Sequence, residues 1–165
     1  MHWERIVEQH AAMLLRAAYH LLHDHGEAED VVQEVLLEAY LKHSRDGTTP
    51  GGGLLRRMTL LRSVDRLRRR RRGESICEIV DEEGGGEPSR EIVEAEQSEQ
   101  LRRAIGRLPP QQGKCFVLRY LEGLDHAQIG EALKMSRSAV SSALHRARES
   151  LRAALRARIP MEDRP

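Results

Sequence analysis

Arginine side chains concentrate in one short segment that could bind phosphate groups. Six of the seven residues from Arg66 to Arg72 are arginine. Such a run repels itself unless it meets anions, and the planar guanidinium group pairs with phosphate oxygens through two hydrogen bonds. We therefore expect the backbone of a nucleic acid as its partner. A solvated helix end balanced by nearby acidic residues is the alternative interpretation.

A second candidate for nucleic-acid binding lies near the C-terminus. Asp125 can cap a short helix, with Gln128 in the capping-box position, and a tight corner at residues 134–136 leads into a longer helix. This order predicts a helix-turn-helix. Opposite the apolar stripe of Val140 and Leu144, the longer helix carries polar and basic side chains suited to a major groove. These side chains are Arg137, Ser138, Ser141, Ser142, His145 and Arg146.

The composition limits the fold and the class of protein. The chain has 165 residues, of which 39% are hydrophobic and only 3% aromatic, so we predict an all-α fold of one compact or two small domains. The net charge is +1, so attraction to nucleic acid depends on where the charges lie. No apolar run approaches the roughly 20 residues of a membrane-spanning helix, and we expect a cytoplasmic protein.

Two breaks divide the chain into modules. Pro50 and the glycines that follow it cannot continue a helix. Residues 73–97 combine a Gly-Gly-Gly run with many acidic residues, and this composition predicts a flexible acidic linker. The linker would join one helical module at residues 1–72 to a second at residues 98–158.

Helical periodicity predicts three helices in the first module. The first is expected to end at Gly26. In the second, Val31, Val35 and Ala39 share one apolar stripe, and the opposite face is acidic and polar. In the third, Leu54, Met58 and Leu61 form one stripe, with Leu60, Val64 and Leu67 beside it.

Patterns that would indicate an enzyme or a metal centre are weak. His20, His23 and His25 surround Asp24 and could hold zinc or nickel, but a histidine-rich corner is more often a solvated surface. Cys77 and Cys115 lack the Cys-x-x-Cys spacing of a zinc site. No phosphate-binding loop and no Ser-His-Asp set is found. We therefore predict no enzyme, no metal and no cofactor.

Two segments resemble the bacterial sigma-70 family of RNA polymerase sigma factors. Residues 27–35 read Glu-Ala-Glu-Asp-Val-Val-Gln-Glu-Val and resemble region 2.2, and the segment from Leu108-Pro109-Pro110 to Arg148 resembles region 4. The two matches occur in the family's order without a region 3, which is typical of the extracytoplasmic-function (ECF) group. The resemblance covers nearly the whole chain. It implies a sigma factor that binds core RNA polymerase and directs promoter-specific transcription initiation.

The resemblance also implies a role for particular residues. Region 2.2 of the family docks on the clamp helices of the polymerase β′ subunit, and region 4 meets the β flap. The implied core-binding residues are Asp30, Gln33, Glu34 and Glu38. The residues at the family's contact with the -10 promoter region are Arg62, Asp65, Arg66 and Arg69. The helix-turn-helix residues given above would read the -35 element, and an anti-sigma factor is the implied antagonist.

Several positions depart from the family pattern. Leu54, Leu60 and Leu61 stand where the family usually has Trp, Arg and Asn, and aromatic stacking is a principal way of holding unpaired bases. Gly113 replaces a frequent Arg, and Lys134 replaces the usual Gly of the turn. Two alternatives therefore remain open. One is a sigma-like decoy that does not melt promoters, and the other is a stand-alone helix-turn-helix regulator.

Overall fold

Seven α-helices make up the described part of the chain. The computed structural model describes residues 2–74 and 90–156, and no strand occurs within them. The predicted all-α fold is therefore confirmed. The helices are α1 His2–Leu22, α2 His25–Asp46, α3 Gly52–Glu74, α4 Arg90–Arg107, α5 Pro110–Tyr120, α6 His126–Leu133 and α7 Arg137–Arg156. Within these residues no helix is both long enough and apolar enough to cross a bilayer.

The corner between α1 and α2 lies before Gly26. His23 adopts a left-handed φ of 53°, and the Asp24 carboxylate accepts a hydrogen bond from the Glu27 backbone N–H at 2.8 Å. This cap satisfies an N–H that has no partner within the helix, and it offsets the low helix propensity of glycine in the first turn. The predicted break at Gly26 was therefore wrong, because Gly26 belongs to α2.

The first helical unit consists of α1, α2 and α3. The predicted stripe of α2 is confirmed, since Val31, Val35 and Ala39 are buried against the neighbouring helices. Leu14 and Leu22 of α1 complete the centre of this unit. The polar side of α2 consequently faces outward.

Of the two stripes predicted for α3, one is confirmed and the other is only partly buried. Leu60, Val64 and Leu67 are buried together with Leu55, whereas Leu54 is 43% exposed. The reason is tertiary: α3 contacts α1 and α2 on one side and α4 and α5 on the other. An isolated amphipathic helix has one apolar stripe, but a central helix buries side chains on two sides.

The second helical unit consists of α4, α5, α6 and α7 and contains the predicted helix-turn-helix. The capping box is confirmed, because Asp125 and Gln128 exchange hydrogen bonds of 2.8 and 2.9 Å between side chain and backbone. Lys134 takes the left-handed conformation at the end of α6, with φ 54°. Gly130 is required at the corner, since a Cβ there would lie 2.7 Å from the Met135 carbonyl oxygen.

The sole described cysteine lies in the core of the second unit. Cys115 is buried beside Met135, with 3.9 Å between the two sulfur atoms. Burial raises the pKa of the Cys115 thiol. The thiol therefore stays protonated and acts as a small apolar side chain, while Cys77 lies outside the described residues.

The two units pack against each other through α3. Val64 and Leu67 of α3 belong to the same buried cluster as Ile105 and Leu108. Two glycines allow this close approach. A Cβ at Gly113 would lie 3.3 Å from Val64 Cγ1, and a Cβ at Gly106 would lie 3.2 Å from the Leu67 carbonyl oxygen. The structure thus adds a contact that the prediction of two tethered modules does not contain.

Part of the predicted linker is helical. Helix α3 extends to Glu74 and α4 begins at Arg90, so residues 73–74 and 90–97 of the predicted linker are helical, and α4 continues into the second unit. Residues 75–89 lie outside the described part of the chain.

Candidate nucleic-acid interface

One open face of α7 carries all six predicted major-groove residues. All are exposed, and none of them makes an ion pair or a side-chain hydrogen bond within residues 2–74 and 90–156. They are Arg137, Ser138, Ser141, Ser142, His145 and Arg146. This face is therefore available to a ligand, and its mixture of hydroxyl, imidazole and guanidinium groups suits both base edges and phosphates.

Packing and capping fix the position of this face. Val140 and Leu144 are buried beneath it, in a cluster that includes Ile129 of α6 and Leu118 of α5. At the start of α7, the Ser136 hydroxyl accepts a hydrogen bond from the Ala139 backbone N–H at 3.1 Å. The open face consequently rests on a rigid element and not on a loop.

The predicted -10 residues line an outward stripe of α3, but most of them already have partners. Arg66 Nη2 lies 2.8 Å from Glu34 Oε1, and Arg62 forms ion pairs with both Glu34 and Glu38. On the other flank, Asp65 lies 3.4 Å from Lys114 of α5. Arg69 is exposed and, of this set, is alone in having no partner among the described residues.

The arginine run also serves the packing of the chain. Arg70 donates to the Leu22 carbonyl oxygen at 3.3 Å and forms an ion pair with Glu27. Arg68 donates to the Leu108 carbonyl oxygen, also at 3.3 Å, and so joins the two units. The expectation that the whole run faces a nucleic acid was therefore too broad, because helix-end carbonyls and α2 carboxylates compete for it.

The four predicted core-binding residues lie on the outer face of α2, and two of them are open. Asp30 and Gln33 are exposed and open, whereas Glu34 and Glu38 contact the α3 arginines described above.

Exposed apolar side chains continue this face toward the end of α2. Leu37 is 59% exposed, Leu41 is 54% exposed, and Tyr40 lies beside them. Sequence reasoning overlooked these residues, although they fall outside the buried Val31, Val35 and Ala39 stripe and repeat at helical spacing from Gln33. Exposed leucines beside open acidic and amide groups are typical of a protein-binding surface.

Two of the three α3 positions that depart from the sigma-70 pattern carry side chains that contribute to packing. Leu60 is buried, and Leu61 packs against the cluster formed by α5, α6 and α7. Leu54 remains partly exposed near the start of α3. Leu60 is therefore unavailable to a base, and Leu61 serves the contact between the two units.

The histidine-rich corner is occupied by ring contacts. Tyr19 stacks on His25 with ring centroids 4.3 Å apart, and its centroid is 5.2 Å from that of His23. In the residues that the structure describes, no three His, Cys, Asp or Glu side chains converge as metal ligands would.

The fold and these surfaces define a helical protein with an open helix-turn-helix and a separate face of α2 that exposes leucines beside polar side chains. Comparison with known families gives the class. Residues 6–73 match the sigma-70 region 2 family, and residues 98–151 match sigma-70 region 4. The chain is 31% identical over 154 residues to the ECF RNA polymerase sigma factor SigL of Mycobacterium tuberculosis, with 91% of this chain and 86% of SigL covered. The chain belongs to the ECF group of the sigma-70 family, as its resemblance implied.

Two further relatives are also ECF RNA polymerase sigma factors. The ECF RNA polymerase sigma factor SigW of Bacillus subtilis is 29% identical over 163 residues, covering 92% of this chain and 87% of SigW. The ECF RNA polymerase sigma factor SigE of Mycolicibacterium smegmatis is 32% identical over 156 residues, covering 91% of this chain. The aligned part is 60% of the length of that SigE.

Solved structures share the fold. CnrH, in complex with the cytosolic domain of CnrY, superposes with a TM-score of 0.58 at 23% identity, covering 95% of this chain and 89% of CnrH. The sigma factor RpoE of Bartonella quintana, in complex with the anti-sigma factor NepR, gives a TM-score of 0.55 at 18% identity. That match covers 94% of this chain and 98% of RpoE.

Proposed function

We propose that this ECF sigma factor binds core RNA polymerase through the outer face of α2 and directs the polymerase to promoters through α7 and α3. The observation that carries the proposal is that one chain exposes both the open face of α7 and the Asp30, Gln33, Leu37 and Leu41 surface. In this function the polymerase performs the chemistry, and the sigma factor supplies recognition of the promoter. Such a protein works in the cytoplasm, where the polymerase is found.

The experiment is a titration of fluorescently labelled full-length protein into purified bacterial core RNA polymerase, read by anisotropy. We expect saturable binding that an unlabelled ECF sigma factor such as SigW displaces by competition. Failure of a folded sample to bind would contradict the proposal and favour the stand-alone helix-turn-helix regulator.

Replacing Arg146 with Ala is expected to weaken binding to a -35 duplex by about 1–3 kcal/mol, or roughly fivefold to 150-fold, if Arg146 contacts a base edge. The probe is the duplex that the wild-type holoenzyme enriches from a random pool, and fluorescence anisotropy gives the affinity. Arg5→Ala removes the same charge from an exposed position on α1 and should leave the affinity within about twofold. Equal losses for both variants would exclude a specific contact by Arg146.

A second candidate function is a sigma-like decoy that occupies polymerase without opening promoters. It is favoured by the packing of Leu60 and Leu61, which takes those positions away from unpaired bases. Permanganate footprinting of the holoenzyme on the enriched promoter separates the two functions. Reactive thymines near the -10 region would support initiation, and bound but unreactive DNA would support the decoy.

Regulation by an anti-sigma factor is part of the proposal. Its support is the similarity of fold to RpoE, whose solved structure contains the anti-sigma factor NepR. An antagonist of this kind would act by covering the surfaces that otherwise meet polymerase and DNA.

A further inference from the structure

Six side chains form a ladder of ion pairs between α2 and α3. Glu38 pairs with Arg62, Glu34 pairs with Arg62 and Arg66, and Glu27 pairs with Arg70. The arginines recur at every fourth residue, and their acidic partners follow in reverse order because α2 and α3 run antiparallel. We call these six residues the α2–α3 charge ladder.

The outer part of the ladder lies at the surface and can exchange partners. The side chains of Glu34, Glu38, Arg62 and Arg66 are between 23% and 54% exposed. Ion pairs at this exposure contribute little free energy, because water screens the charges and ordering the side chains costs entropy. A polymerase surface or a DNA phosphate can therefore replace either partner.

The same four side chains have two different assignments in the proposed function. Glu34 and Glu38 belong to the core-binding face, and Arg62 and Arg66 belong to the -10 contact. A carboxylate that is neutralised by an arginine attracts a polymerase side chain less strongly. Equally, a guanidinium group that is held by a carboxylate attracts a phosphate less strongly.

We propose that the ladder is a switch that couples the two interfaces. In the free protein, Glu34 and Glu38 hold Arg62 and Arg66 away from DNA. When polymerase engages the two carboxylates, the arginines are released toward the promoter. Asp30 and Gln33 have no such partners and remain open for the first contact with polymerase. This inference rests on the proposed function, because it needs polymerase to bind the outer face of α2.

Linkage requires the effect to operate in both directions. If polymerase binding strengthens DNA binding through the ladder, removal of the arginines must strengthen polymerase binding by the same route. The affinity for DNA can be measured without polymerase, and the affinity for polymerase can be measured without DNA.

The first measurement uses the full-length free protein and a labelled single-stranded DNA of mixed sequence, read by anisotropy. We expect the Glu34→Gln/Glu38→Gln variant to bind about tenfold more tightly than wild type, since two arginines gain access to phosphates. The slope of log affinity against log salt should steepen by roughly 1.4, at about 0.7 for each added phosphate contact on a single strand.

A charge-matched control separates this effect from the change in net charge. Glu8 and Glu29 are exposed and form no ion pair within the described residues, so Glu8→Gln/Glu29→Gln removes the same charge without touching the ladder. We expect at most about a twofold gain for this control. Adding Arg62→Gln/Arg66→Gln to the Glu34→Gln/Glu38→Gln variant should abolish the gain. Equal gains in the two glutamate variants would overturn the switch.

The second measurement tests the reciprocal effect with core polymerase and no DNA. Arg62→Gln/Arg66→Gln should bind polymerase several times more tightly than wild type, because Glu34 and Glu38 no longer have competing partners. If wild type binds polymerase and this variant binds with unchanged affinity, the switch fails while the proposed function stands. If wild type does not bind polymerase at all, the proposed function itself fails, and the switch fails with it.

Discussion

Replacing Val140 with Asp is expected to unfold α5, α6 and α7 and to abolish binding to duplex DNA. Val140 of α7 is fully buried in a cluster of apolar side chains that includes Ile129 of α6 and Leu118 of α5. A carboxylate at this position loses its hydration without gaining a partner, at a cost of at least about 4 kcal/mol. Hydrogen exchange should show lost protection of the α5–α7 amides.

Ser142→Asp provides the matched control for this prediction. It introduces the same carboxylate two residues later, on the open face of α7, where the side chain stays in water. Protection of the α5–α7 amides should therefore remain, while affinity for DNA falls because the new charge repels phosphates. If both variants kept full protection, the placement of Val140 in the core would be refuted.

The largest effect on polymerase binding is expected for Leu37→Ser combined with Leu41→Ser. Both leucines are more than half exposed in the free protein, so the substitutions should not disturb the fold. If docking buries them, the loss of apolar burial amounts to about 1.5 kcal/mol for each leucine, together about 150-fold in affinity. The measurement is competition with labelled wild-type protein for core polymerase.

Leu101→Ser is the control for the loss of an exposed leucine. Leu101 is also partly exposed but lies on α4, in the second unit. We expect less than a threefold change in polymerase affinity for this variant. Should the α2 double variant bind as tightly as Leu101→Ser, the docking surface would have to lie elsewhere.

Local sequence patterns were sufficient for the face of α7. Residues three and four apart share a face of a helix, so the position of Arg146 relative to Val140 follows from spacing alone. The Asp125 capping box is equally local, because its hydrogen bonds join residues three positions apart. These features needed no knowledge of neighbouring helices.

The roles of the α3 side chains could not be read in this way. Whether Arg66 meets a phosphate or Glu34 depends on how α2 and α3 pack, and those two residues are 32 positions apart. The burial of Leu55 in place of Leu54 has the same cause, because helices on both sides of α3 decide which side chains are covered. Gly113 departs from the family pattern for a tertiary reason. Helix α5 packs against α3 there, and a Cβ at Gly113 would lie 3.3 Å from Val64 Cγ1.

The sequence by itself therefore determined the helical fold, the family, the order of the two units and the open face of α7, since helix periodicity, caps and motifs are short-range properties. Tertiary structure alone decided how the units contact each other, which arginines of α3 are engaged and which leucines of α2 are exposed. Those features depend on contacts between residues far apart in the chain. The local pattern permits many arrangements of the helices equally well, and packing decides which of these contacts form.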